Sequence, residues 1–370
     1  MSVTIRDVAR EAGVSVATVS RVFNDSGPVR AETRRRIREV AGRLRFSPDG
    51  AARSLITRRT TTLGVLLPDL YGEFFSEVIR GIDRTAQRHG YHLLVSGSHN
   101  DRSEIEAALR AMRGRVDGLL VMTPDVDGPA LVANLPESLP AVLLNCRAAG
   151  PTFDAINIDN YGGARAMVRH LLALGHRRVG IVRGPARNHD ARERLRGYHA
   201  ALRAAGALID PALEAAGDFT EAAGYAGAAA LLDAPRGRRP TAVFAANDAM
   251  AVGALSALRE RGVRVPGEVA VAGFDDIPIA RYTSPPLTTV RVAIPELGAR
   301  GTETLLRAIA SKNAHERRHE TLPTTLVVRR SCGAFARGAA GADGGGATVE
   351  AHREKVGARG MGDHAAGRGR

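Results

Sequence analysis

Apolar side chains recur at Ile5, Val8, Ala9 and Ala12, the i, i+3, i+4, i+7 spacing of one helical face. Thr4 is placed to cap that helix, with Asp7 as an acidic partner three residues on, and Gly13 to end it. Ser15 then starts a second short helix that turns Val19, Val22 and Phe23 inward. Ala17, Ser20, Arg21 and Asn24 share its opposite face. A third helix is predicted over about 31–45, with Ile37, Val40, Ala41 and Leu44 inward and a ring of Arg around them. This pattern fits an ordinary three-helix mini-core. It also fits a helix-turn-helix, whose second helix offers small, hydrogen-bonding side chains and one Arg to a DNA major groove.

Ser47, Pro48 and Asp49 then make a strong helix start, but only about two turns follow and Gly50 interrupts them. Isolated helices that short are marginal in water. The segment is therefore expected to be loose alone and helical when something holds it, with a polar, β-branched linker at 57–62.

From Leu63 the pattern changes. Short apolar runs at 63–68, 91–97, 118–124, 141–145, 178–184, 241–248 and 269–276 read as buried strands. Amphipathic runs at 74–89, 103–113, 161–174, 191–205, 220–232 and 249–261 read as helices between them. Such alternation predicts two parallel sheets with helices on both faces, and ligands beyond the C-terminal ends of the strands. Residues 333–370 are rich in Gly, Ala and Arg, and are expected to be disordered and to form no oligomerising coiled coil.

Charge sharpens this picture. Residues 1–60 hold thirteen Arg against six acids, so one sixth of the chain carries +7 of its net +13. A concentrated basic end attracts a polyanion. Nucleic acid fits better than lipid, because these Arg sit on capped helices rather than beside an apolar anchor. The two cysteines, Cys146 and Cys332, cannot staple a chain this size, and no secretory signal precedes Thr4. A reducing cytoplasm, with association to the nucleoid, is expected. No apolar run approaches the ~20 residues needed to span a bilayer.

Five segments, 14–24 (VSVATVSRVFN), 47–55 (SPDGAARSL), 246–253 (ANDAMAVG), 271–276 (VAGFDD) and 285–290 (PPLTTV), in this order and spacing, resemble the LacI/GalR family of bacterial transcription regulators over roughly 3–332. The resemblance implies a helix-turn-helix headpiece (1–46), a hinge helix and linker (47–61) and a core (62–332) of two doubly wound parallel-sheet subdomains like a periplasmic sugar-binding protein. The N-subdomain would take about 62–159 and 292–320, and the C-subdomain about 161–289 and 323–332. The chain would cross between them near 159–161, 289–292 and 320–323.

By position in this family, Val16, Ala17 and Arg21 face the groove; an Arg can fork onto a guanine edge. Ser15, Ser20, Asn24 and Thr33 suit phosphate oxygens, which position rather than specify. Leu55 resembles a wedge for the minor groove, with Arg53 beside it to sense groove width. For a small-molecule effector the resemblance points to Arg194, Asp275, Asn145, Asn247 and Asp248, with Phe74 and Phe219 as apolar faces for a sugar ring and one of Phe74 and Phe75 in the core. It implies a homodimer on a pseudo-palindromic operator, a carbohydrate effector, no cofactor, no membrane and no enzyme activity. A non-sugar effector such as a nucleobase, and a solute-binding module without transcriptional action, stay open.

One further motif, His315 to His319, has the spacing of a zinc-protease helix, but it lies in a polar stretch without a third ligand. No metal site is expected.

Overall fold

The computed structural model describes residues 3–24, 26–46, 59–99, 101–124, 135, 139–146, 152–311 and 316–334. The expected hinge helix, with Arg53 and Leu55, lies outside the described residues, as do residues 335–370 of the tail.

Three helices form the N-terminal unit: α1 (Ile5–Glu11), α2 (Val16–Asn24) and α3 (Ala31–Arg43). Asp7 accepts both the backbone N–H (3.0 Å) and the hydroxyl (2.7 Å) of Thr4, which fixes the start of α1. The chain reverses at Gly13, and Ser15 Oγ accepts from Thr18 N at 3.2 Å to begin α2. Val8, Val19, Val22 and Ile37 close a small core between the three helices. Phe23 and Phe46 meet edge to face, with ring centroids 5.6 Å apart.

The core region opens with β1 (Thr62–Leu67), α4 (Glu73–Arg88), β2 (His92–Gly97), α5 (Arg102–Met112), β3 (Gly118–Val121), β4 (Ala141–Leu144) and β5 (Asp154–Ile158). It continues with α6 (Asn160–Ala173), β6 (Val179–Val182), α7 (His189–Ala204), β7 (Glu214–Ala215), α8 (Glu221–Asp233), β8 (Ala242–Ala245), α9 (Asp248–Glu260) and β9 (Ala270–Ala272). Then come β10 (Thr289–Arg291), α10 (Ile294–Ser311), β11 (His319–Leu322) and β12 (Thr325–Val327). One sheet has the order β11-β5-β4-β3-β1-β2 and another β7-β6-β8-β9, and every pairing within them is parallel. The central strands are apolar on both faces because helices cover both, while the edge strands β2 and β11 keep exposed positions; Leu63, Val65, Leu66 and Leu67 of β1 are all fully buried.

Strands β5, β7 and β11 fall outside the apolar runs read as strands, and so do two larger features. The long helix α10 packs beside α4 in the first lobe. The antiparallel pair β10–β12 belongs to neither parallel sheet. The chain leaves the six-stranded sheet after β5, returns to it after β10 and leaves again after β11. All three connections meet at Gly163 of α6. A Cβ there would stand 2.7 Å from Thr324 Oγ1 and 2.9 Å from Val290 Cγ1, closer than side chains tolerate, so only glycine lets the connections pack together.

Candidate functional site

On α2 the apolar positions are buried, and the other face is open. Val16 is 42% exposed, Ala17 and Arg21 are exposed, and Ser20 and Asn24 are half-buried. Asn24 Nδ2 donates to Ser20 Oγ at 3.1 Å, which fixes both polar groups one turn apart. Thr33 sits half-buried in the first turn of α3. A helix with small side chains at its N-terminal end and one free-standing Arg a turn later can approach base edges closely.

The second candidate site is a cavity of about 530 Å3. Its walls come from segments that follow β1, β3, β4, β6, β8 and β9: Pro68, Met122, Asn145, Pro185, Asn247 and Asp275. Both lobes therefore point their strand ends at one space, where parallel sheets place ligands.

Arg194 of α7 is the hub. It is 3% exposed, and its Nε donates to Asn160 Oδ1 at 2.8 Å and its Nη1 to Ala246 O at 2.5 Å. Its Nη2 lies 3.1 Å from Asp275 Oδ1. The guanidinium stacks on the Phe274 ring, 3.9 Å from the centroid, and faces Phe219 at 5.7 Å. Despite that proximity Asp275 Oδ1 makes no hydrogen bond, although it is buried. Burial pushes the Asp275 carboxyl up to about 6, against the pull of Arg194. Its backbone holds a φ of 112°, fixed by Asp275 N donating to Val290 O (2.8 Å) and Val292 N donating to Asp275 O (3.1 Å). Strain of this kind is stored where a side chain must be aimed.

A hydrogen-bonded chain continues from Arg194 into the other lobe. Asn160 Nδ2 donates to Asp190 Oδ1 at 3.0 Å, and Asn145 Nδ2 donates to Asp190 Oδ2. Asn145, at φ 51°, also accepts from Ile158 N at 3.3 Å. Arg194, Asp275, Asn145, Asn247, Phe74 and Phe219 all line the cavity. Asn247 caps α9 through Met250 N (2.9 Å) and donates to Phe219 O (3.0 Å), so it also holds the ring in place. Gly184 makes room for that ring, since a Cβ there would lie 2.5 Å from Phe219 Cζ.

The structure corrects two readings. Asp248 does not line the cavity. It is fully buried behind the wall, where it accepts from Ile277 N (3.0 Å) and Thr289 Oγ1 (2.6 Å), and burial beside Asp275 pushes its pKa well up. A carboxylate in the first turn of α9 points back across the turn, and here it ties β10 to the loop after β9. Phe74 and Phe75 were expected to split between cavity and core, but both line the cavity, edge to face at 5.5 Å.

Sequence reasoning missed Asn160, Asp190 and Phe274. Nothing in their local spacing sets them apart, because they converge on Arg194 only when the lobes fold together. Asp276 pairs with Arg291 (2.7 Å) and Arg329 (2.6 Å). His319 opens strand β11 and engages Phe153 O at 3.1 Å. Among the described residues no group of His, Cys, Asp and Glu could hold a metal, and no helix is long and apolar enough to cross a membrane.

Two family models match the chain: bacterial regulatory proteins, lacI family, over residues 4–49, and the periplasmic binding protein-like domain over 168–332. The ribose operon repressor of Haemophilus influenzae is 35% identical over 330 residues, 89% of this chain and 96% of that one. The HTH-type transcriptional regulator GalR of Salmonella typhimurium is 37% identical over 332 residues, 89% of this chain and 95% of that one. The crystal structure of the Lac repressor dimer bound to operator and the anti-inducer ONPF superposes with a TM-score of 0.80 at 31% identity, covering 90% of this chain and 99% of that one.

Proposed function

The chain belongs to the lacI family of bacterial regulatory proteins, and we propose that a small carbohydrate in the cavity sets its affinity for operator DNA. It is a sequence-specific DNA-binding transcriptional regulator, and we read it as a cytoplasmic repressor without catalytic activity. In this reading it acts as a homodimer on a pseudo-palindromic operator. Val16, Ala17 and Arg21 read base edges, and Ser15, Ser20, Asn24 and Thr33 hold phosphates. Arg53 and Leu55 act at the minor groove between the half-sites.

One observation carries the effector half of this reading. The polar groups at the cavity belong to both lobes and are joined by one buried chain, Asn145–Asp190–Asn160–Arg194–Asp275. A polyol that presents alternating donors and acceptors to Arg194 and Asp275 therefore acts on both lobes at once. Differential contact of this kind is what a ligand needs to shift a two-state equilibrium.

The test is fluorescence anisotropy on DNA from the chain's own promoter region, at fixed salt, with and without a panel of sugars and nucleobases. The expected result is tight operator binding that one sugar changes by tenfold or more. Binding no tighter than to random DNA would end the regulatory reading. A response confined to nucleobases would replace the sugar.

A further inference from the structure

The cavity has the opposite sign to the chain that surrounds it. The protein carries a net charge of +13. Yet six carboxylates, Asp69, Glu73, Asp190, Asp218, Glu221 and Asp275, line the cavity against a single guanidinium among the described residues, Arg194. That guanidinium is already engaged by Asn160, Ala246 and Asp275.

Helix N-termini are the other usual partners of an anion. Here α4, α7 and α8 begin at the cavity, and each carries a cavity-lining acid in its own first turn: Glu73, Asp190 and Glu221. A negative side chain beside each positive end opposes the approach of a phosphate. Asp275 Oδ1 is buried at the cavity wall; Arg194 Nη2 is ion-paired with it at 3.1 Å, but it accepts no well-aligned hydrogen bond. The cavity therefore has acceptor capacity left for a donor and little to offer an anion.

We propose that the cavity selects a polyhydroxylated ligand with no negative charge, holds its amine-bearing form more tightly than the neutral parent, and rejects phosphorylated and carboxylated forms. This rests on the reading of the cavity as the effector site. Hydroxyl and ammonium groups donate to carboxylates, whereas phosphate and carboxylate groups bring acceptors and like charge.

The experiment is calorimetric titration of the full chain at pH 7.5 and fixed ionic strength. Matched sets are used in a hexose and a pentose series: the neutral aldose, its 2-amino derivative, its aldonic acid and its phosphate ester. The amine should bind severalfold tighter than the neutral sugar, and the acid and phosphate at least tenfold weaker. The double variant Asp218→Asn, Glu221→Gln should shrink the amine's advantage and soften the rejection of the anions. An anion that binds tighter than its neutral parent overturns the proposal. So does a failure of every neutral and amine-bearing member to bind. The ranking is read from direct binding, so a protein that obeys it but ignores operator DNA would sink the regulatory reading alone.

Discussion

Glu73 Oε2 accepts the backbone N–H of Ile279 at 3.0 Å, tying the first turn of α4 in one lobe to the short helical turn 278–281 in the other. Pro124 O accepts from His189 N at 3.0 Å and forms a second tie between the lobes. A net hydrogen bond of this kind is worth ~1 kcal/mol. Glu73→Ala should therefore weaken effector binding by roughly fivefold. Calorimetry checks the affinity, and small-angle scattering checks for a larger radius of gyration without ligand. If neither moves, the tie is idle.

Arg21 stands free on the open face of α2. Arg21→Ala should cost about 1–3 kcal/mol on the operator and much less on random DNA. Anisotropy on both duplexes separates the two losses. Equal losses would make Arg21 a phosphate contact.

Asp275 links function to pH. Its pKa is raised to about 6 in the folded state, above its unfolded value. The stability it contributes is therefore present in full below about pH 4 and is lost as the pH rises through about 6. The share at stake is up to ~3 kcal/mol. Melting curves should show Asp275→Asn gaining on the wild type between pH 4 and 7. A gap that stays constant with pH would contradict the shift. As the carboxyl ionises it becomes the stronger acceptor, so effector affinity should rise from pH 5 to 7. Asp275→Ala should abolish the effector response and spare operator binding.

Phe219 occupies space that only Gly184 leaves open. Gly184→Val should displace the ring and reduce effector affinity by tenfold or more, while the circular dichroism spectrum stays that of the wild type. Retained affinity would show that the ring contributes no contact.

Asp190 accepts from two buried asparagines, Asn145 at the cavity wall and Asn160 behind it. Asp190→Ala strands both amides, at a cost of about 2–4 kcal/mol. The melting temperature should fall by several degrees. An unchanged melting temperature would mean that water replaces the carboxylate.

The headpiece was the most legible part of the sequence, because α1–α3 are amphipathic and their caps, Thr4 with Asp7 and then Ser15, are local signals. Strands buried on both faces, such as β1 and β4, were legible as apolar runs. The strands β5, β7, β10, β11 and β12 were not: β7, β10 and β12 have two or three residues and carry no period, and the polar side chains of β5 and β11, such as Asn157 and Glu320, break up their apolar runs. Arg194 and Asp275 were reached through the family resemblance. Their partners Asn160, Asp190 and Phe274 were not, because their roles arise from long-range packing. Asp248 shows the converse: its type and place suited a ligand contact, but the turn it begins faces it into the protein.

Thr289 and Val327 are paired across β10 and β12, so two of the three inter-lobe connections are stitched to each other, and the helix start that carries Gly163 packs against them. Three separate tethers would let the halves twist and slide in many directions. Bound side by side they should resist sliding more than bending, which favours one rotation over the others. A signal that travels along a single degree of freedom arrives undivided, and an insertion of one residue in either stitched strand would scramble its direction rather than its strength.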